Sequence, residues 1–194
     1  LENAQISKND IDLIVLATTT PDNTFPSTAT LVQKKLEINA VSFDIQAVCA
    51  GFIYAISVGV SMLRDGYGKK CLVIGADSMS KILDWNDRST SVLFGDGAGA
   101  VVLEKKIVRN ETIENDQWGV LATKIFTDGE YYDLLTTDGG VSKSKSTGFL
   151  RMNGKEIFKH AIEKLSSSLL MCLEECNMNI KDIDWFIPHQ ANQR

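Results

Sequence analysis

The sequence predicts an α/β protein in which helices cover a parallel or mixed β-sheet. Short β-rich runs alternate with segments of helical spacing, in the order strand–helix–strand–helix–strand. The first run, DLIVLATT at 12–19, is continuously apolar at its centre and does not alternate, which is typical of a strand buried on both faces. A composition of 44% hydrophobic and 23% charged residues is that of an ordinary globular protein.

Boundary residues mark the helices of the first half. Pro26 and Ser27 are expected to open the first helix, with the proline in the first turn, where its missing N–H is tolerated. Asp65 and Gly66 are expected to stop the second helix. After 12–19, the predicted elements are a helix to about residue 36, a strand at 41–45, a helix at 51–63 and strands at 71–76 and 98–104.

The second half contains one strongly patterned helix. Residues 154–176 place their apolar side chains on a single stripe and predict a long amphipathic helix. A strand pattern at 118–127 and a Gly/Ser/Lys-rich loop at 138–148 precede it. A strand at 184–187 is expected to follow and to carry His189 at its carboxyl end.

The charged stretch 105–117 divides the chain. It is low in apolar residues and predicts a surface connection between an N-terminal half, 1–105, and a C-terminal half, 118–194. The chain begins with Leu1 and stops just after a predicted strand, so we expect a piece of something longer, incomplete at both ends.

Charge and cysteine content exclude several classes of function. A net charge of −5 and a pI of about 5.1 argue against binding nucleic acid through bulk electrostatics. No apolar run reaches the roughly 18–20 residues that a membrane span needs. The four cysteines have no framework spacing, which favours reduced thiols in a cytosolic protein.

Cys49 stands where a predicted strand gives way to a helix, in FDIQAVCAGFIYA at 43–55. A helix N-terminus stabilises a thiolate through its free N–H groups and its partial positive charge. Ala50 and Gly51 are small, so a substrate can approach and backbone N–H groups stay open to an oxyanion. The sequence therefore favours a nucleophile, and a buried, inert cysteine is the alternative.

His189 is one of two histidines and follows the run WFIP. At the carboxyl end of a strand it can act as a base or donate an N–H to a developing oxyanion. The alternative is a solvent-facing loop residue. The other histidine, His160, lies beside Lys159 on the long helix and is interpreted as a surface residue.

Two further patterns have structural explanations. Cys172 and Cys176 are four residues apart on the helix stripe with no histidine nearby in sequence, which favours core packing over zinc. The run FGDGAGA at 94–100 lacks the Gly-Lys-Ser/Thr ending of a phosphate loop and leads into a strand. Its glycines are expected to allow close backbone approach.

A basic region contrasts with the acidic composition. Arg151, Lys155 and Lys159 are spaced by four and are expected to share one helix face, with Lys143, Lys145 and Arg194 nearby. A solvated face explains such a cluster. The alternative is docking of an acidic partner or of a phosphorylated cofactor.

Together these motifs resemble the β-ketoacyl-acyl carrier protein synthase III family of the thiolase superfamily. The matching stretches follow the family's order: FPSTA at 25–29, FDIQAVCAGFIYA at 43–55, DWNDRSTSVLFGDGAGAVVLE at 84–104, MNGKEIFK at 152–159 and PHQANQR at 188–194. The resemblance implies a thiolase-like fold of two βαβαβ-type halves with mixed sheets in layered α-β-α-β-α packing, here only in part.

The resemblance implies initiation of bacterial type II fatty acid synthesis. Cys49 would accept an acyl group from acetyl-CoA or another short acyl-CoA, and His189 would stabilise the enolate formed when malonyl-acyl carrier protein loses CO₂. Asn192 belongs to the HQAN motif but is not the family's catalytic asparagine. That residue follows later, in a segment expected to lie beyond Arg194, and losing one such donor costs about 10²–10³ in rate.

Binding roles are also implied by the resemblance. Arg88, Met152 and Gly154 would bind coenzyme A; Phe25, Met79 and Phe94 would form the acyl pocket; Lys159 and Arg194 would dock acyl carrier protein. The resemblance implies no metal and no tightly bound cofactor. It also implies a homodimer in the bacterial cytoplasm. The open alternatives are a CoA-dependent thiolase-fold condensing enzyme that uses no carrier protein, and a non-catalytic chain that only dimerises or binds acyl carrier protein.

Overall fold

The computed structural model describes residues 1–106 and 119–191. They form two compact units: the first comprises 1–77, 97–106 and 119–125, and the second comprises 78–96 and 126–191. The sequence did not indicate that 78–96 associates with the later part of the chain. Most of the expected connection, 107–117, lies outside the described residues.

The first unit is built on a four-stranded sheet with the order β2-β1-β3-β4. Strand β1 runs parallel to both β2 and β3, with Ala17 opposite Ile45 on one side and Gly75 on the other. The carboxyl ends of these three strands therefore lie side by side. The strands are β1 Leu13–Ala17, β2 Val41–Ile45, β3 Lys70–Ser78 and β4 Asp96–Glu104, and the helices are α1 Thr28–Leu36 and α2 Gly51–Arg64.

Strand β1 is buried along its whole length, as its continuous apolar run predicted. Leu13 and Val15 pack in a cluster with Ala55 of α2. Ile14 faces the other side and packs in a cluster with Ala29 of α1. Burying each such Leu, Ile or Val side chain contributes roughly 1.5–3 kcal/mol, so the central strand anchors both helical layers.

The start of α1 differs from the prediction. Ser27 is the N-cap and accepts a hydrogen bond from Thr30 N, so Pro26 precedes the helix and is not part of its first turn. The carboxylate of Asp44, on β2, accepts hydrogen bonds from Thr28 N and Ala29 N, each at 2.7 Å. A carboxylate is favourable at a helix N-terminus because it satisfies free N–H groups and complements the helix dipole.

A second carboxylate joins β1 to β3 at their amino ends. Asp12 Oδ2 accepts from Lys69 N at 2.6 Å and from Lys70 N at 3.0 Å. These backbone hydrogen bonds, the first above all, lower the pKa of Asp12. Gly68 is required beside it, since an added Cβ would lie 2.3 Å from Asp12 Cβ.

The second unit contains a two-stranded antiparallel sheet and the long helix. Strand β5 is Leu135–Thr137 and β6 is Leu150–Met152, with the short helix α3 Val141–Ser144 between them and α4 Gly154–Glu175 after them. Segment 78–96 joins this unit through Leu150 N, which donates to Ile82 O at 2.7 Å. Met79, Ile82, Leu83 and Leu150 form its buried cluster.

Four expectations for this part of the chain are wrong. The described residues of 118–127 and the stretch 184–187 are not strands. Arg151 lies on β6, so it does not share a helix face with Lys155 and Lys159; Asn153 caps α4, and the helical spacing begins only after that residue. The glycines of FGDGAGA have no neighbour within 4 Å of an added Cβ among the described residues, so close backbone approach within the sheet does not explain them, and close approach at a pocket stays a prediction.

Within 1–106 and 119–191, no helix combines the length and the apolarity that crossing a membrane requires.

We expect Asp12→Asn to lower the free energy of unfolding by about 1 kcal/mol at pH 7, because a charge-assisted pair of backbone hydrogen bonds becomes neutral. The pKa of Asp12 is lowered in the folded state, so its contribution is present above the unfolded pKa and is lost as the pH falls through the folded pKa. Urea unfolding of both proteins should therefore converge below about pH 4. The matched control is Glu2→Gln, an exposed acidic residue. A difference that persists unchanged in acid would contradict this account.

Candidate active site

The candidate nucleophile lies at the carboxyl edge of the first unit's sheet. Strand β2 ends at Ile45, the 3-10 helix Val48–Ala50 follows, and α2 begins at Gly51. Cys49 is in that 3-10 helix and is exposed. The predicted strand-to-helix turn is therefore present, and Cys49 is not buried, contrary to the alternative. Its role as a nucleophile stays a prediction.

The turn that carries Cys49 has an unusual backbone. Val48 has a φ of +47°, the left-handed region, which a β-branched side chain rarely adopts and which costs about 1–3 kcal/mol. Gly51 lets the turn lie close to the sheet, because an added Cβ would be 3.1 Å from Ala17 Cβ. The packing of α2 against β1 thus holds the strained turn in place.

The pKa of the Cys49 thiol is raised, opposite to the expectation from the helix N-terminus. Neighbouring protein atoms exclude water from part of the sulfur even though the residue is exposed. This desolvation is the largest cause of the raised pKa. The Asp77 carboxylate raises the pKa further, and a backbone hydrogen bond at Cys49 lowers it in part. At neutral pH the side chain is therefore mainly a neutral thiol.

Asp77 is held by a run of threonines that the sequence analysis did not single out. Its Oδ1 accepts from Thr19 N at 2.7 Å, from Thr19 Oγ1 at 2.6 Å and from Thr18 Oγ1 at 3.3 Å. Thr18 N in turn donates to Ile45 O at 3.1 Å. The loop after β1 is thus tied to the ends of β2 and β3, the two strands that flank it. The acidic residue ending the run CLVIGAD was the available signal.

The second unit brings together residues expected in the acyl pocket and along the coenzyme A path. Met79 belongs to its buried cluster, and Phe94 and Met152 pack against that cluster. Gly154 follows directly, where an added Cβ would lie 3.2 Å from Met152 Cε. These four residues therefore share one apolar environment within one unit.

Arg88 is exposed in a tightly hydrogen-bonded turn. Asp87 N donates to Asp84 O at 2.9 Å, and the Asp87 carboxylate accepts from Ser89 N and Ser89 Oγ at 2.9 and 2.6 Å. These hydrogen bonds, from the Ser89 hydroxyl above all, lower the pKa of Asp87. A guanidinium in this position is available to an external planar or anionic group.

Of the remaining predicted site residues, those that the structure describes, Phe25, Lys159 and His189, are exposed. His189 lies in the second unit and follows no strand, contrary to the prediction, and Lys159 lies on α4. Phe25 is 84% exposed in the loop between β1 and α1. Arg194 and Asn192 lie outside the described residues. His160 is half-buried, not a plain surface residue, with its ring centroid 4.1 Å from that of Tyr131.

Within the described residues, no group of three or more His, Cys, Asp or Glu side chains could hold a metal ion.

Comparison with known proteins gives consistent matches. Residues 43–129 match the family model for 3-oxoacyl-[acyl-carrier-protein (ACP)] synthase III. The chain is 54% identical to the beta-ketoacyl-[acyl-carrier-protein] synthase III of Ehrlichia canis strain Jake, an alignment that covers 100% of this chain and 59% of that protein. The corresponding Wolbachia protein from Brugia malayi is 51% identical, with 100% and 60% covered. The chain spans about three fifths of the length of these relatives.

Solved structures confirm the predicted thiolase-like fold, of which the chain forms a part. The 3-oxoacyl-[acyl-carrier-protein] synthase III from Aquifex aeolicus superposes with a TM-score of 0.87 at 41% identity, covering 99% of this chain and 58% of that one. The Thermus thermophilus enzyme gives a TM-score of 0.84 at 36% identity, with 96% and 57% covered.

We expect the rate of Cys49 alkylation by iodoacetamide to rise about tenfold per pH unit and not to level off below about pH 9, because the thiol pKa is raised. Peptide mass spectrometry separates the four cysteines. Cys71 is the internal control, since burial raises its pKa to about 12 and it should stay unlabelled. A plateau near pH 7 would mean that the thiolate is stabilised after all.

Asp77→Asn should move this alkylation profile to lower pH and speed labelling about threefold at pH 8, because a negative charge near the sulfur is removed. Thr19→Val should shift the profile the other way, since it deletes a hydroxyl donor that disperses the carboxylate charge. The paired variants are their own control: a loosened sheet edge would move both profiles in the same direction, and that result would refute the electrostatic explanation.

Proposed function

Because the chain belongs to the 3-oxoacyl-[acyl-carrier-protein] synthase III family, we propose that it performs the initiating condensation of bacterial type II fatty acid synthesis. Cys49 takes an acetyl or other short acyl group from its CoA thioester. The acylated residue then condenses with malonyl-acyl carrier protein, giving 3-oxoacyl-acyl carrier protein, CO₂ and the free thiol. The observation that carries the proposal is an exposed cysteine in the 3-10 turn that precedes α2, whose N-cap residue makes no side-chain hydrogen bond.

In the first half-reaction, the Cys49 sulfur attacks the thioester carbonyl and its proton leaves with the departing CoA sulfur. The N-cap of α2, Ala50, offers no side-chain hydrogen bond to the first turn. Ala50 N donates to Ala47 O and Gly51 N to Val48 O, so the N–H groups that follow Gly51 in the first turn of α2 would serve the oxyanion of the tetrahedral intermediate. Because the pKa of the thiol is raised, its proton has to be removed for the attack to occur.

In the second half-reaction, loss of CO₂ leaves an enolate on the malonyl thioester. His189 donates an N–H to the enolate oxygen, and the carbanion carbon attacks the acyl carbonyl on Cys49. The C–S bond to Cys49 breaks, and the sulfur regains a proton. The exposure of His189 in its own unit is compatible with access to such a substrate.

The second unit supplies the substrate contacts in this proposal. Arg88 binds the adenine end of coenzyme A, while Met152 and Gly154 line the path of its pantetheine arm. Met79 and Phe94 bound the acyl pocket, and Phe25 extends from its exposed loop into the pocket of a second copy of the chain. The shared apolar cluster of Met79, Phe94 and Met152 supports a continuous route from coenzyme to acyl group.

The acidic carrier protein docks on Lys159 and Arg194, and Lys159 is exposed on α4 as this requires. Arg151 is removed from this docking surface, because its guanidinium is already paired with carboxylates. The proposal includes a homodimer in the bacterial cytoplasm, a CoA thioester as substrate with no tightly bound cofactor, and two thiolase-like halves at 1–105 and 118–194.

Radiolabelled acetyl-CoA tests the first half-reaction. The chain should take up about one label per molecule, Cys49→Ala should take up none, and Cys176→Ala should label normally as the matched cysteine control. Equal labelling of the wild type and Cys49→Ala would overturn the nucleophile assignment. Malonyl-acyl carrier protein then tests the second half: release of label as the 3-oxoacyl product is expected, whereas release only with malonyl-CoA would indicate a condensing enzyme that uses no carrier protein.

A further inference from the structure

One arginine in the second unit bridges two carboxylates from separate parts of the chain. Arg151 Nε lies 2.8 Å from Asp138 Oδ2, and its Nη1 lies 3.0 Å from Asp84 Oδ2. Asp138 follows β5, whereas Asp84 lies in segment 78–96. The planar guanidinium presents donors along two edges at once, which a lysine ammonium on a flexible stem does not reproduce.

The Asp84 side of this bridge leads directly to Arg88. Asp84 Oδ1 accepts from Asn86 N at 3.1 Å, and Asp84 O accepts from Asp87 N at 2.9 Å. The Asp84 side chain is only 22% exposed. Asp84 therefore begins the turn that carries Arg88, and the carboxylate of Asp84 is bound by Arg151.

The same turn has little apolar packing of its own. Trp85, Val92 and Leu93 are all exposed. Thr90 is buried, and its hydroxyl bonds within the turn, to Asp87. Contacts within the turn fix its shape. Ile82 and Leu83 hold the chain just before the turn through the buried cluster, and the link from Asp84 to Arg151 is the anchor that lies within the turn itself.

The Asp138 side of the bridge is rigid. Asp138 Oδ1 accepts from Phe149 N at 2.7 Å, and Asp138 N donates to Phe149 O at 3.0 Å. These contacts continue the pairing of β5 with β6, where Thr136 lies opposite Arg151. Hydrogen bonds from Phe149 N and Arg151 lower the pKa of Asp138, so its carboxylate stays charged.

We infer that Arg151 is a positioning residue that fixes the Arg88 turn relative to β6, and thereby aligns the adenine end of coenzyme A with the path lined by Met152. This inference rests on the proposed function of Arg88 and Met152. Arg151 does not touch the reacting atoms; it acts through Asp84. Exposed ion pairs contribute little by themselves, but here two carboxylates share one guanidinium and one of them is mostly buried.

Equilibrium binding of CoA and of pantetheine separates the two ends of the ligand. Arg151→Gln should weaken CoA binding about tenfold and pantetheine binding less than twofold, because only the adenine end depends on the Arg88 turn. Asp84→Asn should give the same split, and the double variant should be no worse than either single one. Arg151→Lys should restore part of the CoA affinity. Lys181→Gln, an exposed cation of the same unit, is the matched control and should bind both ligands normally.

Amide hydrogen exchange supplies a readout that needs no ligand. Arg151→Gln should speed exchange of the amides of 85–93 at least threefold and leave β5 and α4 unchanged. Unchanged exchange in 85–93, or equal losses of CoA and pantetheine affinity, would overturn the inference. If the turn loosens as expected but the wild type binds no CoA, the proposed function of Arg88 and Met152 fails while the anchoring by Arg151 stands.

Discussion

The central constraint is the burial of β1 on both faces between two parallel neighbours. A strand in that position needs apolar side chains on both sides, and LIVLA supplies them with no polar interruption. Parallel pairing with β2 and β3 then brings three carboxyl ends to one edge. The candidate site of the first unit lies at that edge. The turn with Cys49 follows β2, Asp77 is on β3, and the threonines that bind Asp77 follow β1. Open α/β sheets place their reactive groups at such edges because the loops there converge.

Carboxylates tie the connections of this molecule to its strands. Asp44 holds the start of α1 on β2, and Asp12 holds the start of β3 beside β1. In the second unit, Asp84 and Asp138 converge on Arg151. In each case an ionised oxygen accepts from N–H groups that would otherwise have no fixed partner, and such hydrogen bonds are about twice as strong as neutral ones. Part of the negative charge of this acidic chain therefore stabilises the connections between its strands and helices.

The sequence predicted correctly those strands and helices whose structure depends mainly on the residues within the element itself. Strand β2 was predicted at its observed bounds, Val41–Ile45, and helix α4, Gly154–Glu175, was predicted from its apolar stripe. The failures share a physical origin in contacts distant along the chain. The run 184–187 has strand composition, but composition cannot supply a pairing partner. The left-handed backbone at Val48 and the raised pKa of Cys49 depend on packing around one turn. Because of its spacing by four, Arg151 was predicted on a helix that in fact begins only at Gly154. Its observed partners, Asp84 and Asp138, are distant in sequence and could not be predicted from that spacing.

The raised pKa of the Cys49 thiol has a consequence for its oxidation. Thiolates react with peroxides far faster than neutral thiols do, and the sulfenic acid that results can proceed to irreversible oxidation states. A thiol whose pKa is raised presents little thiolate to such reagents at neutral pH. Desolvation of the turn and the nearby Asp77 carboxylate therefore slow the oxidation of an exposed sulfur.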